Sequence, residues 1–97
     1  MHILITQSGG FAGLVQRVAD VDTHLLDAAK AQKIEALVQS TQFFKLPARV
    51  AGDAKGADFQ IYEITITENG HSYRVEFLDD QSAATCPLRR LVDLVVD

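Results

Sequence analysis

Ninety-seven residues, 47% apolar and 23% charged, are enough for one hydrophobic core and exclude disorder over most of the chain. The net charge of −4 is unevenly spread: residues 1–50 hold five Lys/Arg against four Asp/Glu, and residues 51–97 hold four against nine. With no basic stripe, no long apolar segment, no secretory signal and a single cysteine, nucleic-acid binding, a membrane span and an internal disulfide are all disfavoured. The expectation is a cytoplasmic, soluble single domain over residues 1–97.

The chain opens with a short apolar, β-branched run, Met1 to Thr6, that suits a strand. Met1, Ile3 and Ile5 share one face. Leu14 to Val21 alternates less cleanly but suits a half-exposed strand, so the two form a hairpin with a turn longer than two residues. That turn is Ser8-Gly9-Gly10-Phe11-Ala12-Gly13, with three glycines in six positions and one aromatic. Glycine there lets the backbone take positive φ or lie close against another surface. An aromatic at such a tip either folds back on the sheet or is offered to a partner.

A helix is predicted next. Asp22, Thr23 and Asp27 are competent N-caps, so it starts between positions 22 and 27 and runs to Gln39. Ala31, Ile34, Leu37, Val38 and Thr41 form its apolar stripe. Phe43, Phe44 and Leu46 add a bulky core patch, and Pro47 stops continuation. Lys45 to Asp58 then reads as one long irregular stretch, of the kind that is functional or mobile.

The Asn69-Gly70 pair predicts a tight hairpin. Folding there sets Tyr62 opposite Phe77, Ile64 opposite Val75 and Ile66 opposite Tyr73, all on one face. Glu63, Thr65, Thr67, Ser72, Arg74 and Glu76 occupy the other, polar face, so a one-residue slip would bury charge. The last helix opens at Thr85, with Pro87 near its start and Leu88, Leu91, Val92 and Val95 along one stripe.

The predicted fold is therefore α+β, a four-stranded antiparallel sheet with two helices on one face in the order β-β-α-β-β-α. The first helix should return toward the first hairpin's tip, which would bring the loop beginning at Lys45 near Gly9 and Gly10.

Catalytic chemistry has little support. His2, His24 and His71 lack metal-ligand spacing, and Cys86 has no histidine near it in sequence. The Gly-rich turn is followed by a strand and not by a helix, so it is a poor phosphate cradle. No enzyme, cofactor or metal site is expected.

Five segments, taken in order, carry a resemblance: I-T-Q-S-G-G-F-A-G-L (Ile5 to Leu14), V-D-T (Val21 to Thr23), F-F-K-L-P (Phe43 to Pro47), G-A-D-F-Q-I-Y-E-I-T-I (Gly56 to Ile66) and P-L-R-R-L-V-D-L (Pro87 to Leu94). The chain resembles the emfourin family, also called protealysin inhibitors, from end to end. The resemblance implies a bacterial, cytoplasmic inhibitor of thermolysin-like zinc metalloproteases, with a protealysin-type enzyme as partner and the inhibitor a monomer when free. Such proteases cut before bulky apolar residues in a cleft between two lobes. The expected protease-binding residues are Ser8, Gly9, Gly10, Phe11, Ala12, Gly13 and Leu14, with Phe11 or Leu14 filling the apolar subsite beside the zinc. Ligation of that zinc by the Met1 amine with His2 is a further option. The rival reading is a non-inhibitory interaction module that works through its sheet edge or its acidic second half.

Overall fold

The central pairing follows the Asn69-Gly70 turn. The computed structural model describes residues 1–8, 15–50 and 60–96. In it β4 (Ile61–Glu68) and β5 (His71–Leu78) pair antiparallel, with Tyr62 opposite Phe77, Ile64 opposite Val75 and Ile66 opposite Tyr73, as expected. Asn69 (φ 53°) and Gly70 (φ 81°) both take positive φ, the conformation that this two-residue turn requires.

Against β4 lies β1 (His2–Ser8), antiparallel, with Ile3 facing Ile66 and Ile5 facing Ile64. Outside β1 lies β2 (Gln16–Asp22), which starts two residues later than predicted. Its register shifts between Ile5, opposite Ala19, and Thr6, opposite Arg17, which leaves Val18 as the extra residue of a bulge. The bulge is the reason the alternation along this strand is imperfect.

The sheet corrects the prediction in one respect. It has five strands in the order β2-β1-β4-β5-β3 and is mixed, not four-stranded and antiparallel. The added strand is β3 (Arg49–Val50), parallel to Glu76–Phe77 of β5, with Ala48 O accepting the Glu76 N–H at 2.8 Å. Two residues of pairing leave no periodicity to read, so this strand was hidden inside the predicted irregular stretch. Residues 51–59 of that stretch lie outside the described residues.

Helix α1 (Ala28–Ser40) is capped by Asp27, whose side chain accepts the Ala29 N–H at 3.2 Å. Asp22 caps a separate 3-10 turn, Thr23–Leu25, through the His24 N–H. Two of the three candidate caps are thus used, for two different turns. Thr23 is buried, and its N–H and hydroxyl both reach Met1 O, tying the end of β2 to the start of β1. After α1, Gln42 takes a left-handed φ of 53° and a second 3-10 turn covers Phe43–Lys45. Phe43 is buried edge-on to Phe44 and Tyr73, and the Tyr73 hydroxyl donates to Leu46 O.

Helix α2 (Cys86–Val96) buries the predicted stripe, Leu88, Leu91, Val92 and Val95. Thr85 immediately precedes it, but its hydroxyl turns back to Asp80 at 2.9 Å. Both helices cover one sheet face. There Ile34, Val38 and Phe43 meet Ile3, Ile5, Ile64, Ile66, Val75, Phe77 and the α2 stripe in one core cluster.

The position expected for Lys45 is also corrected. It lines a cleft with Met1, Glu68, Asn69 and His71, at the end of the sheet opposite Ser8. The route back is β3, which runs from the level of Glu76 to that of Phe77 and so toward the Ser8 end. Ser8 and Val50, the described residues before segments 9–14 and 51–59, thus point to the same end of the sheet, and it is β3 that leads there and not the end of α1.

A Cβ at Gly70 would meet no atom within 4 Å, so substitution there tests backbone conformation alone. Gly70→Ala should lower stability by about 1 kcal/mol, read as a shifted urea midpoint at unchanged slope.

Candidate functional site

The end of the sheet that carries Ser8 is assembled from four chain segments. Ser8 pairs with Ile61, Ile61 with Leu78, and the Asp79 N–H donates to Gln60 O at 2.9 Å. Gln7 pairs with Gln16, which puts Val15 beside Ser8. Val15 is 67% exposed. Of the predicted binding residues, Ser8 ends β1 and is half-buried. Gly9, Gly10, Phe11, Ala12, Gly13 and Leu14 lie outside the described residues.

Behind this end, Arg89 of α2 joins helix to sheet. Its Nη1 donates to the Tyr62 hydroxyl at 2.8 Å and to Asp79 Oδ2 at 3.0 Å, and its Nε pairs with Asp93 Oδ1 at 3.1 Å. The guanidinium carbon lies 5.3 Å from the centre of the Tyr62 ring, and that ring stacks on Phe77 at 5.3 Å and 16°. Burial opposes the charge, but the Tyr62 hydroxyl, Asp79 and Asp93 outweigh it and raise the Arg89 pKa above the ordinary arginine value. The group is a permanent cation, positioned to hold the sheet end and the start of α2 as one unit.

The corner between β5 and α2 is also tightly bonded. Asp80 Oδ1 accepts the Ser82 N–H at 3.0 Å and the Thr85 hydroxyl at 2.9 Å, while the Cys86 N–H reaches Ser82 O at 3.0 Å. Thr85 is fully buried and Cys86 is exposed.

On the uncovered sheet face the predicted polar set is in place. Its ion pairs are long and exposed: Arg74–Glu63 at 3.6 Å, Arg49–Glu76 at 3.9 Å and Arg17–Asp20 at 3.7 Å. Each contributes little to stability. The polar character stops one rung short of the Ser8 end, where Ile61 and Leu78 face each other, half-buried, on this same side. Extending the pairing that sets Tyr62 opposite Phe77 by one residue finds this rung, and the alternation then assigns it to the open face.

At the opposite end a cleft of about 580 Å³ is lined by Met1, Val38, Phe43 and Phe44 together with Glu35, Lys45, Glu68 and His71. His2 Nε2 bonds Asp20 there, and Met1 O is taken by Thr23. Seven strand residues separate this end from Ser8, about 20 Å. Met1 and His2 thus lie at the opposite end of β1 from Ser8. Among the described residues no group of three or more His, Cys, Asp or Glu side chains is placed to hold a metal ion. No helix among them is long and apolar enough to cross a membrane.

A family model described as Emfourin matches residues 5–95, nearly the whole chain. The chain belongs to the Emfourin family. Emfourin is an inhibitor family, which makes a protease the general class of partner. The match takes in Ile5–Ser8 of β1, both ends of the Gly-rich segment and α2 up to Val95, with Arg89. No curated protein and no solved structure matches the chain significantly.

Truncation at Arg89 removes every bond of the guanidinium at once. Arg89→Ala should cost about 1–2 kcal/mol in chemical denaturation, and Arg89→Lys should recover only part of it, because an ammonium cannot reproduce the planar fork.

Proposed function

We propose that this Emfourin-family chain inhibits thermolysin-like zinc metalloproteases of the protealysin type by blocking the active-site cleft with Ser8–Leu14. The observation that carries the reading is the family match, which spans that segment, the second half of β1 before it and β2 after it. The fold supports it physically. Both ends of the segment are held by β1 and β2, and β1 is itself pinned against β4, so limited freedom is lost when a partner takes the segment. Phe11 or Leu14 supplies the bulky apolar group for the subsite beside the zinc, as an aromatic or aliphatic anchor in a pocket. Glycines at 9, 10 and 13 let the backbone lie against the cleft walls.

In this reading the inhibitor acts as a bacterial, cytoplasmic monomer that restrains an intracellular protease, and it performs no catalysis itself. Strand addition at the exposed edge is a weaker reading. The edge strand β2 carries a bulge and the charged side chains Arg17 and Asp20, features that discourage pairing with another strand.

Titration of a thermolysin-like protease decides between an inhibitor and an adaptor. Activity should end near one equivalent of the protein; an adaptor would leave it intact. Phe11→Ala or Leu14→Ala should raise the inhibition constant by a factor equivalent to at least about 1 kcal/mol, and a smaller change in both removes the anchor. Alkylation of Cys86 should leave inhibition unaltered.

A further inference from the structure

The open face of the sheet is polar from its His2 end up to Glu63 and Glu76, with Leu4 as an isolated apolar residue opposite Thr65 and Asp20. The last rung differs. Running across the sheet it reads Val15, Ser8, Ile61, Leu78, and three of these four residues are apolar. Burial in the core does not account for them. Val15, Ile61 and Leu78 belong neither to the core cluster nor to the hydrophobic side chains packed against it. Among the described residues they form a separate apolar strip on the side opposite the helices.

We propose that this rung is a second docking surface for the protease, resting against the body of the enzyme beside its cleft. The proposal rests on the inhibitor reading above and adds a contact to it. The occupant follows from chain continuity. Ser8 and Val15 are the immediate neighbours of Gly9 and Leu14, so a partner that receives the segment between them comes within a residue of the rung. Its chemistry follows from the side chains: a valine, an isoleucine and a leucine in line present a dry strip to an apolar stretch of the enzyme's rim. The row behind includes Arg17, Glu63, Glu76 and Arg49, whose long ion pairs, Arg49–Glu76 within the row and Glu63–Arg74 and Arg17–Asp20 to its neighbours, can exchange partners at the edge of an interface. An apolar centre with a polar surround is the usual anatomy of such a contact.

Inhibition constants against a thermolysin-like protease test this, using the full chain and the variants Val15→Ser, Ile61→Thr, Leu78→Thr, the Ile61→Thr/Leu78→Thr pair, Leu4→Thr and Phe11→Ala. Threonine suits a strand, so the paired variant should melt within a few degrees of the parent. That variant should inhibit about tenfold more weakly or worse, Val15→Ser several-fold more weakly, and Leu4→Thr within about twofold of the parent. The docking surface is overturned if the paired variant inhibits within about twofold of the parent while Phe11→Ala has weakened; the loop reading then stands alone. Should the parent protein fail to inhibit at all, the inhibitor reading falls and takes this surface with it. If the paired variant loses thermal stability, Val15→Ser decides, since that exposed residue lies outside the strands, and inhibition within twofold there refutes the proposal. A concentration-dependent dimer of the parent that Ile61→Thr dissolves would assign the rung to a second copy of the chain and also refute it.

Discussion

The register between β4 and β5 constrains everything else in the molecule. Two residues with positive φ, Asn69 and Gly70, set Tyr62, Ile64 and Ile66 across from Phe77, Val75 and Tyr73. A slip of one position would turn Glu63, Thr65, Arg74 and Glu76 into the core, with a desolvation cost far larger than the stability of a domain this size. With that face settled, β1 can only join with Ile3 and Ile5 turned inward, and both helices have one apolar surface to cover.

The two ends of this sheet are built differently. At the Met1 end Phe43 and Phe44 line a cleft, and the polar contacts are separate ones: His2 to Asp20, Thr23 to Met1 O and Tyr73 to Leu46 O. At the Ser8 end the polar contacts converge on two side chains: Arg89 holds Tyr62, Asp79 and Asp93, and Asp80 holds Ser82 and Thr85. Bonds of this kind fix side-chain directions more narrowly than apolar packing does. A binding segment needs such a foundation, because motion at its roots would add to the entropy lost on association.

Much of this was legible in the residues. Alternation across Tyr62–Phe77 and the stripe Leu88, Leu91, Val92, Val95 are period signals repeated several times, and both are realised without change. Two features were hidden because their signal is too short or is interrupted. Strand β3 is only two residues long, and the bulge at Val18 breaks the period of β2. The position of Thr85 suits a helix cap, but Asp80, five residues earlier, captures its hydroxyl. The role of Arg89 has no sequence signal, since its partners Tyr62 and Asp79 are distant in sequence or on another element. As for the site, the glycine-rich segment stood out at once by composition. The apolar rung beside it escaped notice because Ile61 and Leu78 flank a face whose remaining members are polar.

The placement of the tyrosines has an optical consequence. The chain contains two of them and no tryptophan, so Tyr62 and Tyr73 dominate its intrinsic fluorescence. One phenol is bonded to Arg89 behind the Ser8 end; the other donates to the Leu46 carbonyl near the cleft. Replacing either by phenylalanine leaves one dominant intrinsic fluorophore, so the unfolding of each half of the molecule can be followed separately without a dye.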